Sequence, residues 1–297
     1  MLLKVTDNIS MIQSELGFTY CNCVLIDDDV RAVIDTGADA KSLTAVSPEN
    51  IDMVLYTHHH YDHTRGNPLF EKSKTFIHEA DCEALTTVEA FTYYNSLDQW
   101  EDLMPGYDFL DAAAQIGILE NAPYWSIDGT FKDGQLFDFG KTKVEVLHTP
   151  GHSAGHCSFW FPEQELLFTG DICLTKVGPW YGEICASPDE MLQSIQKLID
   201  LKPRFVTSCH INDISENGVE MLHEFKNRIY KRDERILNYL KTNPATVEDI
   251  ANHHLIYRIH PTPFVLFWEK LMVIKHLHRL EDMGLIVSGD NGIYIAE

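Results

Sequence analysis

Basic residues are scarce in this chain. Its 297 residues hold 23 Lys+Arg against 45 Asp+Glu, a net charge of −22. Such a field repels polyanions at long range. Nucleic-acid binding normally shows a basic footprint, so the charge counts against DNA or RNA, although a local basic patch can survive in an acidic protein. No run approaches the roughly 20 apolar residues of a membrane helix, and no membrane partner is expected. The opening Met1-Leu2-Leu3-Lys4-Val5-Thr6-Asp7 lacks a charged leader before an apolar core, so no signal peptide is visible. The cysteines Cys21, Cys23, Cys82, Cys157, Cys173, Cys185 and Cys209 form no CxxC pair. That counts against a zinc ribbon or a thioredoxin-type motif. An odd, scattered set fits free thiols in a reducing compartment, and a cytoplasmic location is expected.

What is present in excess is histidine, concentrated in Thr57-His58-His59-His60-Tyr61-Asp62-His63. His58, His60, Asp62 and His63 are ligand types that zinc, iron and manganese accept. The run follows Asp52-Met53-Val54-Leu55-Tyr56, which reads as a short apolar strand. Alternation in an extended stretch turns His58 and His60 the same way, and His59 the other. A turn must then bring Asp62 and His63 alongside, and Arg65-Gly66-Asn67-Pro68 has turn chemistry.

The remaining candidates also follow strand-like segments. His152 lies beyond strand 142–147 across Thr149-Pro150-Gly151. Asp171 ends Leu166-Leu167-Phe168-Thr169-Gly170, and His210 ends Phe205-Val206-Thr207-Ser208-Cys209. Strand ends at one sheet edge are where active sites collect. Further strands are expected at 8–12, 21–26, 31–35 and 157–161, with a hairpin turn at Asp27-Asp28-Asp29. A short helix is expected over 39–47. A longer one over Asp189–Leu201 is opened by Ser187-Pro188.

With these motifs in place, the chain resembles the metallo-β-lactamase superfamily of hydrolases over roughly residues 5–230. THHHYDH is similar to its HxHxDH signature, TPGH to its third histidine motif, FTGD to its bridging aspartate and SCH to its terminal histidine. The resemblance implies an α/β fold, an αβ/βα four-layer sandwich with two central sheets. It also implies a cofactor of two divalent metal ions. His58, His60 and His152 would hold one, Asp62, His63 and His210 the other, with Asp171 bridging. Such a pair sits about 3.5–4 Å apart and shares a hydroxide acidified by both ions. Asp62 would be the catalytic residue, ligating and orienting that nucleophile. Asp171 stands where zinc β-lactamases of the common class carry Cys, so the pattern is closest to hydroxyacylglutathione hydrolase and counts against antibiotic hydrolysis. Zinc, iron and manganese remain open.

Weaker candidates surround this set. Asp35-Thr36-Gly37 reads either as support behind the ligands or as a plain turn. His59 reads as structural, and His156 either as support or as neither. His148 is not expected to ligate. Cys209 and Cys173 flank ligands, but the seven-ligand set is complete without them. His253, His254, His260, His276 and His278 read as surface or core residues. The loop Gly178-Pro179-Trp180-Tyr181-Gly182 places Trp180 and Tyr181 as substrate-binding candidates or as packed anchors.

Two segments break the strand rhythm. Residues 83–130 read as a helical cap inserted into the hydrolase domain (1–230). They carry nine carboxylates, no Lys or Arg, and the aromatics Phe91, Tyr93, Tyr94, Trp100, Tyr107, Phe109, Tyr124 and Trp125. As a lid they would favour a neutral acyl group over phosphates; as decoration they would simply pack. Residues 231–297 read as a winged-helix-like domain: a helix over Asp233–Lys241, a second capped at Thr246, a third over Phe264–Met283, and a hairpin turning at Asp290-Asn291-Gly292. The third helix presents Phe267, Leu271, Ile274, Leu277 and Leu280 on one face. A ribonuclease of the resembled superfamily has a similar tail, which keeps RNA open as a substrate. The tail is nearly neutral, with eight Lys+Arg and nine Asp+Glu. Lys270, Lys275 and Arg279 are offset by Glu269, Glu281 and Asp282, so the tail reads as a structural or homodimerising module. The leading expectation is a dinuclear metallohydrolase of a small ester or thioester. The alternatives are an endoribonuclease or phosphodiesterase using the same metals, and a metal-containing regulatory protein with incidental hydrolysis.

Overall fold

The computed structural model describes residues 1–17, 19–117 and 126–297. Tyr124 and Trp125 of the cap lie outside the described residues. Among the described residues no helix is long and apolar enough to cross a membrane.

Seven strands form the first sheet in chain order: β1 (Leu2–Lys4), β2 (Ile9–Ile12), β3 (Cys23–Asp27), β4 (Arg31–Ile34), β5 (Met53–Leu55), β6 (Lys74–His78) and β7 (Gly129–Phe131). The pairs β1 through β4 are antiparallel, and β4 through β7 are parallel. The parallel stretch matters for the site, because consecutive strands then end at the same edge. The second sheet runs in the order β12-β11-β10-β9-β8. It is built from β8 (Leu136–Asp138), β9 (Lys143–His148), β10 (Cys157–Phe161), β11 (Leu166–Phe168) and β12 (Phe205–Thr207), with β11 and β12 parallel. One apolar core draws on both sheets, with Val24, Ile34 and Val54 from the first packed with Val146, Phe159 and Phe168 from the second. Strand interiors that are this apolar follow from burial on both faces.

The helices are α1 (Ala40–Thr44), α2 (Tyr61–Thr64), α3 (Val88–Tyr94), α4 (Trp100–Leu103), α5 (Phe109–Ile116), α6 (Pro188–Asp200), α7 (Gly218–Leu240), α8 (Val247–Asn252) and α9 (Pro263–Asp282). Local chemistry sets several starts. The Asp39 carboxylate accepts from Ser42 N and opens α1, and Ser187 with Pro188 opens α6 as its sequence predicts. Thr246 and Asp249 complete a capping box on α8.

The tail departs from expectation in one respect. Its first helix begins at Gly218 rather than Asp233, so α7 runs unbroken through the boundary expected at 230/231. Ile236, Leu240, Ile250, Met272, Leu277 and Ile286 share a core with Leu167, Met191, Ile195 and Phe225. The hairpin forms as β13 (Ile286–Ser288) and β14 (Tyr294–Ala296), and Ala245 bridges to Tyr294. Helix α9 is buried on more sides than its expected stripe, since Met272, Val273 and His276 are also enclosed. Met272 and Val273 join the core shared with α6 and α7, and the cap closes over the helix from another side. Phe91, Trp100, Met104 and Ala112 pack on Phe264, Phe267 and Leu271, with Tyr61 in the same cluster. Burial around most of the circumference removes the one-sided pattern of a surface helix.

The three basic residues of α9 are occupied within the molecule. Lys270 donates to the Leu103 carbonyl at 2.6 Å and pairs with Glu248. Lys275 donates to the carbonyls of Ile184 and Ala186 at 3.2 and 2.8 Å. Arg279 pairs with Asp233 at 3.0 Å and with Asp189.

Candidate metal centre

The predicted residues meet at the carboxyl ends of the strands. His58 to His60 follow β5, and α2 immediately turns Asp62 and His63 back toward them. His152 lies on the loop from β9 to β10, Asp171 follows β11, and His210 follows β12. Glycine makes the close approaches possible. A Cβ on Gly37 would strike the Asp62 carbonyl. Gly170, at φ +59°, would put one 2.7 Å from His156 Nε2.

Two clusters result. His58, His60, His152 and Asp171 form one, and Asp62, His63 and His210 the other; within each, the candidate ligand atoms all lie within 4.8 Å. In the first, His152 Nε2 is 3.1 Å from His58 Nε2, 2.9 Å from His60 Nδ1 and 3.1 Å from Asp171 Oδ2. In the second, His210 Nε2 is 3.4 Å from Asp62 Oδ2, and His63 Nε2 is 3.6 Å from the same oxygen. Asp171 joins them, because its Oδ1 lies 3.2 Å from His210 Nε2. The first cluster is sealed, with His58 and His152 fully buried. The second opens outward through Asp62, whose side chain is 27% exposed.

The opposite nitrogens of His58, His63 and His152 are hydrogen-bonded, and that of His60 lies in a close charge contact without hydrogen-bond alignment. His152 Nδ1 donates to the Trp180 carbonyl at 2.9 Å. His63 Nδ1 donates to Asp35 Oδ2 at 2.9 Å. Thr57 Oγ1 lies 2.8 Å from Asp35 Oδ2, so its hydroxyl donates there and its oxygen accepts from His58 Nδ1 at 2.9 Å. His60 Nε2 is 2.6 Å from Glu183 Oε1. These contacts leave lone pairs on His58 Nε2, His60 Nδ1 and His152 Nε2, all facing one another. Three acceptor nitrogens about 3 Å apart repel unless a cation lies among them. His63 Nε2 is buried without a hydrogen-bond partner. The donor set therefore fits divalent metal.

The electrostatics divide in the same way. Burial pulls His152 down to about 3, against the opposing pull of Asp171, and burial with neighbouring imidazoles holds His58 well below its ordinary range. Burial also lowers His210, but the carboxylates of Asp171 and Asp62 outweigh it and raise the ring to about 9. His63 is likewise raised against burial by Cys21, Asp62 and Asp35. For Asp62 burial acts upward, yet His63 and His210 bring it down to about 2. In the first half His58 and His152 thus present neutral nitrogens, while at His60 burial is opposed and outweighed by Glu183 and Asp62, which raise it. The other half holds protons that a cation can replace.

Asp35 resolves the open reading of its motif. It is fully buried at φ 62°, an uncommon conformation for Asp, and it accepts from Thr57 N as well as from Thr57 Oγ1 and His63. His156 also supports the site. Its Nδ1 donates to the Thr149 carbonyl and its Nε2 accepts from Asp171 N at 2.9 Å. Tyr181, a candidate either for substrate contact or for a packed anchor, turns inward. Its ring is fully buried, and its hydroxyl lies 2.9 Å from His276 Nε2 and 3.1 Å from Arg232 Nη1. Arg232 and His276 are the reason, since they offer that hydroxyl polar partners inside the core. Trp180 is half-buried and packs edge-on against Trp268 at 5.9 Å.

Sequence reasoning missed Asp81 and Glu183. Asp81 accepts from His59 N, Ser153 Oγ and Gly155 N, and pairs with His59 Nδ1 at 3.0 Å, tying the histidine run to the His152 loop. Its signal was available, for it follows β6 at the same sheet edge. Glu183 had none, being one of many acidic residues on a loop.

The family model described as the metallo-beta-lactamase superfamily matches residues 16–210, and the chain belongs to that superfamily. Hydroxyacylglutathione hydrolase of Brucella anthropi is 30% identical over 193 residues, 63% of this chain and 59% of the relative. The match therefore spans less than two thirds of that relative's length. A metallo-beta-lactamase family protein from Thermus thermophilus superposes with TM-score 0.78 at 20% identity, covering 99% of this chain and all of the other. The protein TTHA1623, solved in a di-iron-bound form, gives TM-score 0.51 at 27% identity over 69% of this chain and 94% of its own.

Proposed function

We propose that this protein is a metal-dependent hydrolase with two metal ions, acting on a small ester or thioester. The observation that carries the reading is the convergence of three histidine lone pairs, with Asp171 linking them to the open Asp62–His63–His210 half. His58, His60 and His152 would hold one ion, Asp62, His63 and His210 the second, and Asp171 both. Bound divalent metal acidifies water to a nucleophile near neutral pH and stabilises developing negative charge. The chain's own contribution is orientation. Asp62 lies at the open side, where its carboxylate would accept a hydrogen bond from the attacking water and orient it. Asp35, Thr57 and Glu183 fix the imidazoles, while His156 holds the Asp171 backbone. The likeness to hydroxyacylglutathione hydrolase supports a thioester.

Phosphodiester substrates fit less well. The body is strongly acidic, and Lys270, Lys275 and Arg279 are engaged within the molecule, which leaves no ready basic track on α9. A panel of acyl thioesters, aryl esters and single-stranded RNA, run at two salt concentrations on metal-loaded protein, tests the reading. Thioester or ester turnover is expected. RNA cleavage that weakens steeply with salt, beside negligible ester hydrolysis, would replace it with the nuclease.

A further inference from the structure

The segment from Thr175 to Ala186, between β11 and α6, supplies the outer partners of two inner histidines. Trp180 gives its carbonyl to His152 Nδ1, and Glu183 places Oε1 2.6 Å from His60 Nε2. Glu183 is 4% exposed, an unusual place for a carboxylate without a purpose. Its second oxygen lies 3.8 Å from His59 Nε2, and His59 is pinned on its other side by Asp81. The fold holds this segment from three directions. From α7, Arg232 donates to the carbonyls of Val177 and Pro179, and Arg228 to that of Thr175. From α9, Lys275 donates to the carbonyls of Ile184 and Ala186. From the cap, Ser96 accepts from Ile184 N at 2.8 Å; it is fully buried at φ 56°. A left-handed serine is held against its preference, as happens where surrounding structure over-determines a position.

We propose that Glu183 is a positioning residue for His60, and that the tail and cap keep it in place by strapping the 175–186 segment. The inference rests on the reading of His60 as a metal ligand. The Glu183 carboxylate, 2.6 Å from His60 Nε2 though outside hydrogen-bond alignment with it, draws the imidazole proton to that nitrogen by charge. That fixes the tautomer in which Nδ1 carries the lone pair, aims Nδ1 at His58 and His152, and makes it a stronger donor. Contacts of this kind change metal affinity about 10–100-fold when removed. The tail would then act on the metal centre without reaching it.

Zinc affinity of the full chain, measured by competition with a chromophoric chelator, tests this. It is read beside the absorption band of the cobalt-substituted protein and the melting temperature of the metal-free protein. Glu183→Gln should weaken one zinc equivalent about 10–100-fold and displace the cobalt band, with metal-free melting unchanged. Parental affinity and an unmoved band would overturn the proposal. So would weaker binding explained by a lower metal-free melting temperature with the band unmoved. His58→Asn separates the two levels of inference. If it weakens zinc binding and Glu183→Gln does not, only the role of Glu183 fails. If neither differs from the parent, the metal-site reading fails with it. Should Glu183→Gln not fold, Lys275→Met replaces it. That change removes one of the three restraints on the segment while leaving Glu183 and every candidate ligand intact. It should weaken zinc binding in the same sense but less; parental affinity and band would overturn the strap.

Discussion

The two halves of the metal centre solve the same problem in opposite ways. The His58–His60–His152 half is sealed; burial holds His58 and His152 low, while at His60 burial is outweighed by the Glu183 and Asp62 carboxylates, which raise it, and the rings are oriented by partners from Thr57, Glu183 and Trp180. The Asp62–His63–His210 half is more open, and its imidazoles carry protons because carboxylates face them. Under the proposed two-metal reading, the closed half would hold its ion by geometry. The open half would give up protons to take one and would leave room for substrate. The contrast would then be a division of labour: retention on one side, turnover on the other.

The largest test of that division is Asp62→Asn. Hydrolysis should fall about 10²–10⁴-fold, while circular dichroism stays at the parental spectrum, because Asp62 lies outside the sheet cores. A variant that keeps more than about a tenth of the rate, a loss below ~1.4 kcal/mol, would remove Asp62 from its role. Next in size is Asp171→Asn. Metal analysis of protein prepared without chelator should fall from two equivalents toward one, since one oxygen of this side chain faces His152 and the other His210. Full retention of both ions would mean that the halves fill independently.

A smaller effect concerns protons. His63 and His210 have folded values raised above the ordinary histidine range, His210 to about 9, so both are protonated at pH 7 in metal-free protein. Metal uptake at pH 7 should therefore release protons, and release should fade as the pH rises through 9 and His210 is already neutral. Calorimetric titration in buffers of different ionisation enthalpy measures this. Release that does not change between pH 7 and 10 would erase the contrast between the halves. The smallest change in the centre is expected from Lys270→Met, remote from both halves. It should cost about 1–3 kcal/mol in chemical denaturation, because the Leu103 carbonyl loses its donor, and leave metal content unchanged.

The sequence was most readable where one residue type performs one task. His58, His60, Asp62, His63, His152, Asp171 and His210 each follow a strand, and strand ends can be read from short apolar runs; all seven meet. Helix α6 was readable from Ser187 and Pro188, and α8 from Thr246 and Asp249. Legibility ended where a residue's partner is remote in sequence. Glu183 has meaning only beside His60, and Tyr181 only beside Arg232 and His276. Two aromatic residues on one loop look alike on paper, yet Tyr181 faces the core. Helix α7 was cut short because its first half follows no apolar run that marks a start, and α9 was assigned one face because the partners that enclose its other sides, such as Met191 and Ile195, are remote in sequence.

Helix α7 has one more consequence. Because a single 23-residue rod carries the chain from the second sheet into the tail, no flexible joint separates the two. A tail cut at 230/231 should therefore not exchange among relatives as a cassette. A recombination junction at 230/231 would sever a continuous helical hydrogen-bond ladder and open the shared core. Successful junctions should fall before Gly218, carrying the whole rod along, and heating should melt body and tail in one cooperative transition.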